Sequence, residues 1–367
     1  MNTTKPNSSL LESKQHFKIL DGLRGIAAVA VVIFHFMEIA VPDYNNSFIA
    51  HAYLAVDFFF CLSGFVIAYA YDRRLKQIGV SAFLKMRLIR LHPLVIIGSV
   101  VGFLAFVFDP FSHLYQAYTG QTFLMFLSSC LMIPYPLVHE RYFNLFHLNP
   151  PTWSLFWEYI ANIIYAFVLI RLRNKAIWIL TIIGAIALCY EAHRSGFLAV
   201  GFGGDNITGG GIRVFYSFIA GILVYRSNWI IKSRLGFMTT GILLVIVFLV
   251  PFSEKLNWIL DPLIVIFYFP FLIALGAGAK LTSTFSRLCH FSGEISYPLY
   301  MIHYPFVWLF MSYVERMKPA IGQMATIMII AVCLLIGLAY LIMILMDIPV
   351  RQFLKGKMGR PAASIKV

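Results

Sequence analysis

A run of apolar residues opens at Ile19 and continues to Ile39, and nine more of similar length follow. They lie at about 52–71, 92–108, 152–170, 176–190, 211–226, 236–252, 257–276, 293–313 and 322–347. About 20 apolar residues are needed to cross one bilayer as a helix. Lipid offers no water to satisfy exposed backbone groups, so such segments must be helical. The sequence therefore predicts an all-α integral membrane protein of about ten transmembrane helices. Only 12% of its 367 residues are charged, against about 25% in a soluble domain. No hydrophilic stretch is long enough for a second globular unit. The expected organisation is a polar N-terminal tail (1–18), one membrane domain (19–350) and a basic C-terminal tail (351–367). A cleavable signal peptide would have a shorter apolar core and a small-x-small site. The first run instead carries Arg24 and His35 and reads as a retained span.

The formal net charge is +13. In a soluble protein this would suggest nucleic acid. Here the basic residues sit in short connections between apolar runs, where they set orientation against an anionic cytoplasmic leaflet. Membrane lipid, not nucleic acid, is the expected partner. The segment around 122–136 is broken by Pro134 and Pro136. If it dips into the bilayer and returns, both termini are cytoplasmic. All 29 Lys and Arg residues then face inward except Arg141, Arg194, Arg213, Lys255, Arg316 and Lys318. The expectation is a re-entrant or surface-lying stretch at 110–151, between the third and fourth spans. Irregular backbone at that depth must line a cavity or be buried in protein.

The five cysteines, Cys61, Cys130, Cys189, Cys289 and Cys333, are scattered without a CxxC pair. Neither disulfides nor a metal site is expected. The glycine-rich stretch 201–211 reads as a flexible extracytoplasmic loop. It lacks the GxxxxGK[ST] pattern of a phosphate cradle. Nothing in the sequence sets an oligomeric state.

Ionisable residues within the spans are costly to bury, by roughly 2.5–3.5 kcal/mol each on insertion scales, and usually face a cavity and serve function. Arg24 and His35 are eleven residues apart on the first span. They share a helix face, separated by about 16 Å along the axis. Asp57 in the second span needs a partner such as His35 or an arginine, and reads equally well as half of a helix-pinning ion pair. Ser63-Gly64 reads as a close helix contact, since no GxSxG elbow surrounds it. Arg87 and Arg90 would project together on a helix and could grip phosphates in forked fashion, or merely mark topology. Trp153, Ser154, Trp157 and Glu158 open the fourth span. Aromatic faces beside a carboxylate suit a sugar, although interface anchoring explains the tryptophans as well. Arg213 either caps a helix or faces the cavity. Tyr300 and His303 are helical neighbours between Pro298 and Pro305, in a kinked helix that lines the site or packs through hydrogen bonds.

Six pieces of the sequence, taken in order, resemble the acyltransferase-3 family of membrane-bound O-acetylases and O-acyltransferases. They are LDGLRGIAAVAVVIFHF, VDFFFCLSGFVI, RLIR, TWSLFWEY, RVFYSFIAGILVY and ISYPLYMIHYPF, and they cover about residues 19–313. The resemblance implies an acyl-CoA donor, usually acetyl-CoA, and an extracytoplasmic glycan or lipid-linked sugar acceptor. It implies that His35 is the catalytic histidine, that Arg24 is its companion, and that Arg87 and Arg90 meet the donor phosphates. Asp57, Trp153, Ser154, Glu158, Arg213, Tyr300 and His303 fall at family-typical positions. Asp57 and Glu158 are counted with the catalytic group, and the other five with the substrate. Some relatives carry a fused periplasmic domain, and none is expected here after the last span.

Chemistry agrees with that implication. A sugar hydroxyl is a poor nucleophile and needs a base that titrates near neutrality, which histidine supplies. His35 could act as that base, or carry the acyl group first. A polar passage should then join the arginines to the imidazole. The rival readings are a transporter or exporter of a small molecule or glycan intermediate, and a membrane scaffold. Inverted repeats would favour the transporter, and none is visible. A scaffold gains little from buried Arg24, His35, Asp57 and Glu158.

Overall fold

The computed structural model describes residues 17–357 and is built from helices. In chain order these are α1 (Lys18–Ala40), α2 (Ala55–Tyr71), α3 (Val80–Val107), α4 (Thr122–Leu131), α5 (Thr152–Phe167), α6 (Asn174–Ser195) and α7 (Ile207–Arg226). They continue with α8 (Phe237–Phe248), α9 (Asn257–Leu263), α10 (Phe269–Gly278), α11 (Ser283–Ile302), α12 (Tyr304–Met317), α13 (Ile321–Ile342) and α14 (Ile348–Lys357). Among the described residues no strand forms. Isolated bridges join Asn144 to Gly203 and Ser233 to Ala279. Apart from residues 17–18 and 351–357, the two tails lie outside the described residues.

Eight helical stretches are long and apolar enough to span a bilayer. Large apolar side chains such as Ile182, Ile186, Ile329 and Leu334 are exposed along them, as lipid-facing positions would be. Two expected spans come out differently. The run at 236–252 yields only the 12 residues of α8, about 18 Å of helix against a hydrocarbon core of about 30 Å. The run at 293–313 becomes two helices that break at His303. Pro305 is the reason. Its ring excludes the helical bond to the Met301 carbonyl four residues back, and the Asn149 side-chain amide donates to that carbonyl instead, at 3.0 Å.

Small residues set the helix spacing. A Cβ on Gly64 would stand 2.0 Å from the Phe218 carbonyl oxygen, and one on Gly221 would stand 1.9 Å from that of Cys61. The backbones of α2 and α7 therefore touch, and Ser63-Gly64 is the close contact its sequence suggests. In the same way α1 packs along α11, with Gly25 against Ser292 and Gly293 against Asp21.

The glycine stretch corrects an expectation. Gly209, Gly210 and Gly211 are not loop but the first turn of α7. Trp157 lies against Gly210 and Gly211, and a Cβ on Gly210 would meet its indole nitrogen at 2.6 Å, while Gly209 packs against Val200 and Glu191. These glycines serve close packing rather than flexibility.

The stretch between α3 and α5 is also tied down. α4 has ten residues, about 15 Å of helix, and ends at Met132 in the left-handed conformation. The chain then returns along α12. Buried Arg141 donates to Ser312 at 2.7 Å, and its guanidinium lies 5.3 Å from the Trp308 ring centroid. Ser312 in turn donates to Asp109 at 2.6 Å, and the Trp308 indole donates to the His147 carbonyl.

Candidate active site

α1 carries polar side chains at two poles. Near its Ala40 end a cavity of about 760 Å³ opens, with His35, Glu38, Trp153, Arg213, Tyr300 and Tyr304 in its wall. Tyr44, Tyr53, Phe197 and Phe252 add further aromatic faces, and Asp43 and Glu254 add carboxylates. Tyr142, Asn144, Pro150 and Pro151, from the irregular stretch before α5, complete the wall.

His35 is 23% exposed to this space, and its Nδ1 lies 2.7 Å from Glu38 Oε2. The other Glu38 oxygen accepts a short hydrogen bond from the Tyr44 hydroxyl. Burial and the neighbouring carboxylate push the Tyr44 hydroxyl pKa upward, so it stays a proton donor. The His35 ring stacks on His303, with centroids 5.4 Å apart and planes inclined by 20°, and meets the edge of Tyr304 at 4.7 Å. His303 is fully buried and is not part of the cavity wall. Its Nδ1 donates to the Tyr300 carbonyl at 2.8 Å. Glu38 was not singled out from the sequence. The signal was present in its position one helical turn after His35, where side chains meet.

Asp57 finds Arg213, not His35. The Arg213 NH2 and Nε groups donate to the carboxylate at 2.6 and 3.2 Å, and both side chains are buried. Arg213 also donates to the carbonyls of Val200 and Tyr53, and it lies 5.4 Å from the Trp153 ring centroid. Behind this pair, the Tyr53 hydroxyl and the Leu198 amide both donate to buried Asp261 at 2.8 Å. The cavity wall is thus backed by a hydrogen-bonded scaffold that joins α2, α7 and α9.

The second pole lies toward the Lys18 end. Arg24, 29% exposed, donates to Ser296 Oγ at 2.9 Å and to the Gly293 carbonyl at 2.6 Å. Arg87 donates to Glu158 at 2.8 Å, and Ser63 donates to the same oxygen at 2.9 Å. Arg87 and Arg90 sit on α3, which begins 12 residues before the expected span at 92 and so makes them helical neighbours. Arg90 is exposed, and Arg24, Arg87, Arg351 and Asp347 all act on it electrostatically. Asp347, in the π-helical turn between α13 and α14, pairs with Arg351 at 2.8 Å. Four arginines therefore converge where three carboxylates, Asp21 (3.5 Å from Arg24), Glu158 and Asp347, offset only part of the charge. Glu158 belongs to this pole and does not line the cavity beside Trp153.

Arg24, Arg87 and Arg90 do not line the cavity either. The cavity therefore does not reach these arginines, and a buried bond of 2.8 Å joins Ser154 Oγ to the hydroxyl of Tyr300 in the cavity wall. Helix arithmetic places this bond between the poles. Ser154 is one turn from Glu158 on α5, and Tyr300 is one turn from Ser296 on α11. Among the described residues no group of three or more His, Cys, Asp or Glu side chains could hold a metal ion.

A helical membrane domain with an imidazole-lined cavity and a cluster of arginines suits a membrane acyltransferase, and the comparison with known families gives that class. Residues 17–346 match the model of the acyltransferase-3 family, described as an acyltransferase domain, and the chain belongs to that family. It is a multi-pass membrane enzyme of the acyltransferase type. Protein 2 of the picA locus of Rhizobium radiobacter is 32% identical over 188 residues, which cover 48% of this chain and 95% of that protein. O-acetyltransferase OatA of Staphylococcus aureus strain NCTC 8325 is 24% identical over 97% of this chain, and strain MRSA252 OatA is 25% identical over 82%. The chain spans only 62% and 52% of the length of those two OatA proteins. No solved structure matches it.

Proposed function

We propose that the protein moves an acyl group from cytoplasmic acyl-CoA to a hydroxyl of a glycan or lipid-linked sugar on the far side of the inner membrane. Both termini are then cytoplasmic, and the Ala40 end of α1 faces outward. The relatives named O-acetyltransferase favour an acetyl group. The observation that carries the reading is the single helix α1, which holds His35 in an aromatic cavity and Arg24 in an arginine cluster.

The donor's phosphates are met by Arg87 and Arg90, with Arg24 and Arg351 adding positive charge. Guanidinium suits phosphate because its planar fork offers paired donors. The acceptor sugar lies against Trp153, Tyr53 and Tyr304, whose faces suit the apolar faces of a pyranose. Its hydroxyl approaches His35 Nε2. As the hydroxyl oxygen attacks the thioester carbonyl, Nε2 takes the hydroxyl proton and a tetrahedral oxyanion forms. Collapse of that intermediate breaks the C–S bond, and the departing thiolate recovers the proton from the imidazolium to leave as CoA thiol. In the variant path His35 is acylated first and then passes the group on, with the same overall balance. Either path brings the thioester past Ser154 and Tyr300, so their hydrogen bond opens during turnover.

The test pairs His35→Ala with mass spectrometry of surface glycans from cells with and without the gene. The expected result is a glycan mass one acyl group lighter in both the deletion and the His35→Ala strain, with the variant still present in the membrane. A His35→Ala strain that keeps the modification would overturn the reading.

A further inference from the structure

We infer that Glu38 is a positioning residue that fixes the tautomer of His35 and presents its Nε2 to the acceptor. The inference rests on the proposed role of His35, and neither the family match nor the relatives assign anything to Glu38.

Three observations carry it. The first is the direct contact of 2.7 Å between His35 Nδ1 and Glu38 Oε2. A carboxylate can only accept, so Nδ1 carries the hydrogen and the lone pair of the neutral ring is on Nε2. The second is that Nε2 has no hydrogen-bond partner among the described residues, while the ring borders the cavity. A free lone pair beside an open space is what a base needs. The third is that Glu38 is itself held, because Tyr44 donates to its other oxygen. Tyr44 follows Asp43, which accepts from the Asn45 backbone N–H at 2.9 Å and so fixes the turn that carries the tyrosine.

A stabilising role for the pair is the competing explanation, and geometry argues against it. The bond joins two residues of one helical turn and ties no second element to α1. Its influence on the ring is direct. Without Glu38, nothing prevents the hydrogen from moving to Nε2 or the ring from turning over. Glu38 also faces the positive charge that forms when Nε2 takes the hydroxyl proton. A carboxylate behind an imidazole does both things in other enzymes that use histidine as a base.

The experiment measures transfer from radiolabelled acetyl-CoA into the glycan fraction of membrane vesicles that contain the full chain. Glu38→Gln, Glu38→Asp and His35→Ala are compared at equal amounts of membrane-inserted protein. Glu38→Gln should lower kcat at least tenfold while leaving KM for acetyl-CoA within about twofold. It should also move the acidic limb of the kcat–pH profile to lower pH, because the imidazolium loses its carboxylate. The rings of His303 and Tyr304 contact His35, and Asp43, Tyr44, Tyr53, Tyr142, Arg213, Glu254 and Tyr300 line the same cavity; all are unchanged in the variant. Glu38→Asp keeps the charge on a shorter arm, so it should recover part of the rate and return the acidic limb toward its original position. Wild-type kcat in Glu38→Gln with an unmoved acidic limb overturns the inference, as does a loss confined to KM. If Glu38→Gln does not reach the membrane, Glu38→Asp decides, because a wild-type rate and profile there would show that the distance to Nδ1 is immaterial. The two claims separate cleanly. Inactive His35→Ala with fully active Glu38→Gln refutes only the role of Glu38, whereas active His35→Ala refutes both.

Discussion

Arg213 on α7 and Asp57 on α2 form a buried ion pair across 156 positions of sequence, closed by three hydrogen bonds of 2.6 to 3.2 Å. Arg213 spends its remaining donors on the Val200 and Tyr53 carbonyls, so the guanidinium is almost fully occupied by the protein itself. Its guanidinium also backs Trp153 in the cavity wall. The pair thus shapes the cavity by holding α2 and α7 in register.

Removing one partner should therefore hurt folding more than removing both. Breaking a buried pair leaves an uncompensated charge, at a cost of about 3–5 kcal/mol. Asp57→Leu and Arg213→Met should each lower thermal stability in detergent markedly, and the double variant should recover most of the loss. A double variant no more stable than the worse single one would refute this account of the pair.

Arg87 and Arg90 differ in what already binds them, and their substitutions should differ too. Arg87 is engaged by Glu158 at 2.8 Å, while Arg90 is exposed and has no hydrogen bond among the described residues. Arg90→Ala should raise KM for acetyl-CoA about tenfold and leave stability unchanged, since a charged hydrogen bond contributes about 1.5–3 kcal/mol. Arg87→Ala should do the same and also destabilise the protein, because Glu158 loses its partner. Arg87→Ala/Glu158→Gln should regain stability without regaining KM. Kinetics with varied acetyl-CoA, run beside detergent melting, check all three.

His147 should make the protein acid-sensitive. Burial, together with the nearby Arg141 charge, pushes its imidazole pKa down to about 3, from about 6.5 in an unfolded chain. A base with a lowered pKa is neutral in the fold, so its contribution is complete above pH 6.5. That contribution is lost as pH falls toward 3, because the unfolded state binds the proton first. Full protonation would cost on the order of a few kcal/mol. Melting temperature should fall between pH 7 and 4.5, and His147→Gln should flatten that dependence. An unchanged slope in the variant would assign the acid sensitivity to other groups.

Much of this protein is legible without coordinates, and some of it is not. Hydropathy and the cost of bare backbone in lipid dictate the all-α membrane architecture, because only helices satisfy their own hydrogen bonds there. The same cost marks Arg24, His35 and Asp57 as purposeful, since the sequence keeps charge where lipid penalises it. Helical periodicity places Arg24 and His35 on one face. The same periodicity sets Glu38 one turn beyond His35.

Partners across the bundle were decided by the tertiary structure alone. Asp57 could have met His35 or any arginine, and Glu158 lay beside tryptophans in sequence but meets Arg87 from 71 positions away. Hydropathy fixes that a helix crosses the membrane. It does not fix the helix's depth or its rotation about its own axis, which follow from packing against neighbours. Gly210 shows the same limit on a smaller scale, since a glycine in sequence can mean freedom or contact. Only the position of the Trp157 ring, in contact with Gly210, shows that here it means contact.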